Sequence, residues 1–191
     1  MSWVPSIFQA PLRHEDRFTA LVRPHIGAMY RMAYRWTQNR DEAEDLVQDV
    51  LTRLVTRLDE LTRVEKLTPW LITVLYRRYV DLYRRRMNSP VDHDSDWRSD
   101  LGLFHEQMVD TKDNFEQLDL QRTLSRAMET LDGNQRDVVL LHDVEGYSAV
   151  DVADILDISV GTVKSRLHRA RNKLKTALEA EPFKPSIRVI G

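Results

Sequence analysis

Ser148 to Leu174, SAVDVADILDISVGTVKSRLHRARNKL, carries two short helical periodicities separated by a turn, and this constrains the chain more than any other stretch. It reads as a helix-turn-helix whose second helix bears the charge. Ser148 can cap the first helix and Asp151, three residues on, completes a capping box, while Val152, Ile155 and Leu156 give an apolar face and Ala153 permits a close crossing. The chain turns through Asp157 and Ile158, and Ser159 can cap a helix on which Val163, Leu167, Ala170 and Leu174 face inward. Lys164, Arg166, Arg169, Arg171, Lys173 and Lys175 stand between them with no acid, a local charge of +6. A helix of this kind suits a DNA major groove. Its N-terminal part would reach base edges, so Gly161, Thr162, Lys164, Ser165, His168 and Arg169 are candidate readers; the later arginines and lysines would hold phosphates. The bland alternative is a solvated helix face. It does not account for two well-formed helices, a turn and one-sided charge in one place.

Composition narrows the remaining classes. The 191 residues suit one domain or two small ones, and the net charge of −2 conceals strong segregation of sign. With no cysteine there is neither a disulfide framework nor a thiolate metal site, which points to the cytoplasm. The N-terminus MSWVPSIFQAPLRHED lacks the basic start and apolar run of a signal peptide, and no stretch reaches membrane-spanning length.

Residues 1–17 read as an irregular leader because Pro5 and Pro11 oppose a long helix. A helical pattern starts at Phe18, with Asn39 as its stop. In RDEAEDLVQDVLTRLVTRL the apolar positions from Ala43 to Leu58 form an unbroken stripe, and from Asp41 to Asp49 the outside carries Asp41, Glu42, Glu44, Asp45 and Asp49 and no base. The acids of the first turn suit the helix dipole. Asp45, Gln48 and Asp49 lie further along and offer an acidic face to a basic partner helix, the alternative again being mere solvation. Residues 59–68 read as a loop, and Pro69 opens another helix. There Trp70, Tyr76, Tyr79 and Tyr83 interleave with Arg77, Arg78, Arg84, Arg85 and Arg86, for a net +5 from Lys66 to Arg86. Rings among cations suit a single strand or melting duplex, whose bases stack while its phosphates meet arginine; half-buried tyrosines beside a solvated arginine run are the structural alternative. From Val91 to Gln121 nine acids face two bases, and most of this segment reads as a flexible linker. A second helical block begins near Phe115, breaks at Asp132-Gly133, resumes with Asn134 as a cap and runs into the helix-turn-helix.

Over about residues 18–178 the chain resembles the bacterial sigma-70 family, group 4, the extracytoplasmic function (ECF) sigma factors of RNA polymerase. EAEDLVQDVLTRL resembles the family helix that binds the coiled coil of the polymerase β′ subunit. PWLITVLYRRYVDLYRRR resembles its promoter-melting and −10-reading segment, and LDGNQRDVVLLHDVEGYSAVDVADILDISVGTVKSRLHRARNKL its −35 reader. The resemblance implies an all-α fold with two small helical domains, sigma-2-like over 18–90 and sigma-4-like over 117–180, joined by the acidic linker 91–116, with a tail over 181–191. It implies core docking by Asp45, Leu46, Gln48 and Asp49. The −10 element would be held and opened by Trp70, Arg77, Arg78, Tyr79, Arg84 and Arg85, with a non-template base captured near residues 59–68. The −35 set is Gly161, Thr162, Lys164, Ser165, Arg166, His168, Arg169 and Arg171. Partners implied are the β′ and β subunits of RNA polymerase core, promoter DNA and an anti-sigma factor, often membrane-anchored; no cofactor, metal, membrane insertion or homo-oligomer is called for. Two departures stand out. Arg77 occupies a position where the family often has Asn, which implies an altered −10 preference, and Asp157 a turn position where it usually has Gly, although Asp tolerates a left-handed backbone.

Two other classes stay open on the sequence. A free-standing activator or repressor would use the first block to dimerise and bind promoters without polymerase. An enzyme acting on nucleic acid fits least, because the six histidines are scattered and the acids at 41–49 point to different sides of a helix.

Overall fold

The structure, a computed structural model, describes residues 13–87 and 123–180. Residues 1–12 of the leader, the linker 91–116 and the tail 181–191 lie outside the described residues. Every regular element among those described is helical, as expected.

Helix α1, His14–Thr37, starts four residues before Phe18, with Glu15 and Asp16 in its first turn. It ends where Gln38 turns left-handed at φ 52°, its N–H donating to the Tyr34 carbonyl at 2.8 Å. Asn39 is therefore less a stop than a start. Its side chain accepts from the Glu42 N–H at 3.1 Å and caps α2, Arg40–Leu54. The stripe from Ala43 to Leu54 faces inward, and the chain continues through a 3₁₀ turn, Val55–Arg57, into the short α3, Leu58–Leu61. Leu58 and Leu61 are both buried, which draws one more helical turn out of the expected loop and shortens the latter to residues 62–66. Helix α4, Leu67–Met87, has Pro69 in its first turn, where a missing N–H leaves no bond unmade.

Beyond the undescribed segment, residues 123–129 form α5. Helix α6, Gly133–Val139, is capped by Asp132, whose carboxylate accepts from the Gln135 N–H at 2.9 Å; the sequence suggested Asn134. It runs on into a π-helical turn, Leu140–Val144. Helix α7, Ala149–Leu156, has the full Ser148/Asp151 capping box, and Asp157 sits at φ 55°, the left-handed conformation expected of it. Helix α8, Val160–Ala180, starts with the Thr162 N–H donating to Ser159 Oγ at 3.0 Å and buries Val163, Leu167 and Ala170.

Two cores were expected, and one continuous apolar cluster joins both blocks. In the first block Trp36 is its centre, with the Tyr76 ring centroid 5.1 Å and the Tyr79 centroid 5.8 Å away. Helix α4 then packs across α7, so Tyr76 and Val80 lie near Ile155, Leu156 and Ile158. Polar contacts fasten the same seam. Glu145, just past the π turn, pairs with Arg35 at 2.5 Å and Arg31 at 3.2 Å, and Lys66 pairs with Asp151 at 3.1 Å.

Candidate functional site

The acidic face of α2 and the basic run of α4 are separate in sequence and adjacent in the fold. Arg78 donates through Nε to Asp49 Oδ2 at 2.6 Å, and Arg86 reaches both Glu42 oxygens at 3.1 Å. Arg53 also donates to Asp49, at 3.0 Å. Desolvation pushes the Asp49 pKa up, but the hydrogen bonds from Arg78 and Arg53 outweigh it and hold the carboxyl below its ordinary value. Asp45 and Gln48 are exposed beside it. Asp45, Asp49, Arg78, Tyr83 and Arg86 line a cleft between α2 and α4 whose floor includes Leu46. Leu46 is only 3% exposed, so the side chain expected at a docking surface is chiefly core.

Tyr79 requires a similar correction. Burial removes its ring from water, its hydroxyl donates to the Trp36 carbonyl at 3.0 Å, and its pKa is pushed far up, mainly by desolvation. A ring held between Trp36 and Tyr83 has no face to offer a base. Trp70 is half-buried, Arg78 is engaged by Asp49, and Arg77, Arg84 and Arg85 are exposed. Of the six side chains expected to hold the −10 element, those three arginines and Trp70 are the ones presented.

On α8 the candidate readers share one open face. Gly161, Lys164, Ser165, His168 and Arg169 are exposed and Thr162 is half-buried at the capped start. Local bonds order them: Ser165 Oγ donates to the Thr162 carbonyl at 3.0 Å, Arg169 Nε to the Ser165 carbonyl at 3.3 Å, and the His168 ring meets the Asn172 amide at 3.2 Å. Arg166 leaves this face and turns into the seam with α4, in a cleft it shares with Arg77 and Arg84. Arg171 is held by Asp143 of the π turn, at 2.5 and 3.0 Å. Among the described residues no group of three potential metal ligands gathers, and no helix is long and apolar enough to cross a membrane.

Residues 21–88 match the family model for Sigma-70 region 2, and residues 121–174 that for Sigma-70, region 4. The ECF RNA polymerase sigma factor EcfG of Rhodopseudomonas palustris (strain TIE-1) is 33% identical over 163 residues, spanning 84% of this chain and 86% of that protein. The chain belongs to the ECF RNA polymerase sigma factors. A further ECF relative, SigW of Bacillus subtilis (strain 168), is 27% identical over 168 residues, 86% of this chain and 90% of its own. Among solved structures, the sigma factor RpoE of Bartonella quintana in complex with the anti-sigma factor NepR superposes with TM-score 0.64 at 25% identity, covering 86% of this chain and 98% of that one. CnrH in complex with the cytosolic domain of CnrY gives TM-score 0.57 at 26% identity, with 86% and 88% covered. The ECF assignment places region 2 on α1 to α4 and region 4 on α5 to α8.

The sequence did not reveal Glu145, Asp143 or the π turn that aims them. Their partners Arg31, Arg35 and Arg171 lie 28 or more residues away, and no periodicity marks such a pair.

Proposed function

We propose that this ECF sigma factor acts in the cytoplasm as a non-catalytic specificity subunit that docks on RNA polymerase core through α2, reads the −35 duplex with α8 and holds the opened −10 strand along α4. The observation that carries this is the exposed, acid-free face of Lys164, Ser165, His168 and Arg169 on a helix whose opposite side is fixed in the core. Asp45 and Gln48 make the accessible part of the docking surface, with Asp49 at its edge. Arg77, Arg84 and Trp70 supply charge and an aromatic face to the strand. An anti-sigma factor, the kind of partner that RpoE of B. quintana binds in its solved complex, is the proposed restraint.

The test is run-off transcription with purified protein, core polymerase and promoter-bearing fragments of the source genome. Transcripts that need both components support the reading. Tight, specific promoter binding without polymerase, and no transcript, replaces it with an activator or repressor.

A further inference from the structure

We propose that α7 competes with promoter DNA inside the same chain: its acidic edge lies across the strand-holding surface of the first block, and the Glu145 ion pairs latch it there. This rests on the assignment of the strand-holding surface given above. Asp151, Asp154 and Asp157 follow one another along the edge of α7 at i, i+3 and i+6, and all three line the same cleft as Lys66, Trp70, Thr73 and Arg77. A row of carboxylates thus faces cations and an indole, the group types that bind a sugar-phosphate strand and its bases. Lys66 is already engaged by Asp151. The Asp151 pKa is lowered, first by the Ser148 hydroxyl and then by Lys66 against the effect of burial, so it remains ionised and opposes an incoming phosphate at neutral pH.

The latch lies at the other end of the seam. Glu145 belongs to region 4, yet its side chain is nine-tenths buried against Arg31 and Arg35 of α1. The π turn makes this possible, since one extra residue in the helical ring swings the chain so that Asp143 points to Arg171 and Glu145 to α1. The seam leaves the reading face of α8 in the open. Closure therefore blocks one promoter element and spares the other, and this asymmetry separates latching from a general loss of DNA affinity.

The chain has no native cysteine, so exposed Thr19 and Thr176 can each be changed to Cys and labelled as a fluorescence-transfer pair reporting on the seam. Full-length wild type, Glu145→Gln and Asp154→Lys are compared for transfer efficiency, for affinity to a single-stranded −10 oligonucleotide and for affinity to a −35 duplex. Asp154→Lys gives an independent route to opening if Glu145→Gln fails to fold, which circular dichroism reports. The expected result is high transfer in wild type, lower transfer in both variants, strand affinity raised fivefold or more, and duplex affinity changed less than twofold. Low transfer in wild type overturns the latch. Lower transfer with unchanged strand affinity overturns the competition. If neither open nor closed protein binds the strand while duplex binding persists, the strand-holding assignment itself falls and the competition falls with it.

Discussion

Replacing Asp49 separates what α2 does for the fold from the polymerase docking proposed for it. The carboxylate accepts hydrogen bonds from Arg78 and Arg53, and the Arg78 side chain is only 16% exposed. Asp49→Ala leaves that guanidinium without its counter-ion in a half-dry site. Hydrogen bonds to charged groups contribute about 1.5–3 kcal/mol each, and the one-third exposure of Asp49 discounts this by screening, so the expected loss is about 1–2 kcal/mol. Asp49→Arg adds a third cation to two, and the expected loss rises to about 2–3 kcal/mol. A docking defect in that variant would therefore be confounded with misfolding. Asp45→Arg avoids the problem: Asp45 is exposed and in no ion pair among the described residues, so its expected cost is within about 0.5 kcal/mol while it reverses charge on the same face. Urea unfolding followed by circular dichroism gives the stabilities, and fluorescence anisotropy with labelled core polymerase gives the docking. The pH dependence has a definite sign. The folded pKa of Asp49 is depressed, so its contribution is full above the unfolded value of about 3.9 and is lost as pH falls through the folded pKa. The gap between wild type and Asp49→Asn should close on acidification. Equal unfolding midpoints for wild type and Asp49→Ala at pH 7, or a gap that persists below the folded pKa, would falsify this account of the pair.

Three other outcomes follow from the geometry. Ser148→Ala removes one half of a capping box and should lower stability by about 1 kcal/mol, read as a shift in urea midpoint with no change in slope. Asp157→Gly relieves a left-handed residue and should be neutral or stabilising by up to about 1 kcal/mol; a clear loss in thermal midpoint would mean that the Asp157 side chain has a role its backbone does not explain. Arg169→Ala, in contrast, should weaken −35 duplex binding by about 1–3 kcal/mol in a sequence-dependent manner, whereas Lys173→Ala should weaken all duplexes alike, both measured by anisotropy across a salt series.

What could be read from sequence was what is encoded locally. The capping box at Ser148, the left-handed Asp157, the cap at Ser159 and the inward spacing of Val163, Leu167 and Ala170 each depend on residues within a few positions of one another, and all are present. Tyr79 and Leu46 are more buried than a strand-holding or docking side chain would be, for a common reason. A half-apolar helix buries whichever arc its neighbours cover, and only the docking of α1 against α2 and α4 decides that Tyr79 meets Trp36 instead of solvent. Asn39 was legible as a boundary but not as the cap of the helix after it, because a break and a start look alike in composition.

Charge segregation along the chain proved to be a statement about pairing as well as about partners. The acids of α2 meet the bases of α4 in Asp49–Arg78 and Glu42–Arg86, the acids of α7 face Lys66 and Arg77, and Asp143 of the π turn and Glu145 just past it take Arg171, Arg31 and Arg35. Counting bases by segment therefore overstates what free protein offers to phosphate. Among the cations left open are Lys164 and Arg169, which face outward on the first turns of α8, and Arg77, Arg84 and Arg85 of α4. Of these, Arg77 and Arg84 lie at the seam with region 4. A near-neutral chain organised in this way has little long-range pull on DNA, since the Debye length at physiological salt is about 8 Å and opposite charges nearer than that cancel. On the proposed reading its affinity is assembled by contact: the duplex is met first on α8, and the cations proposed to hold the strand become available only as their internal acids are displaced.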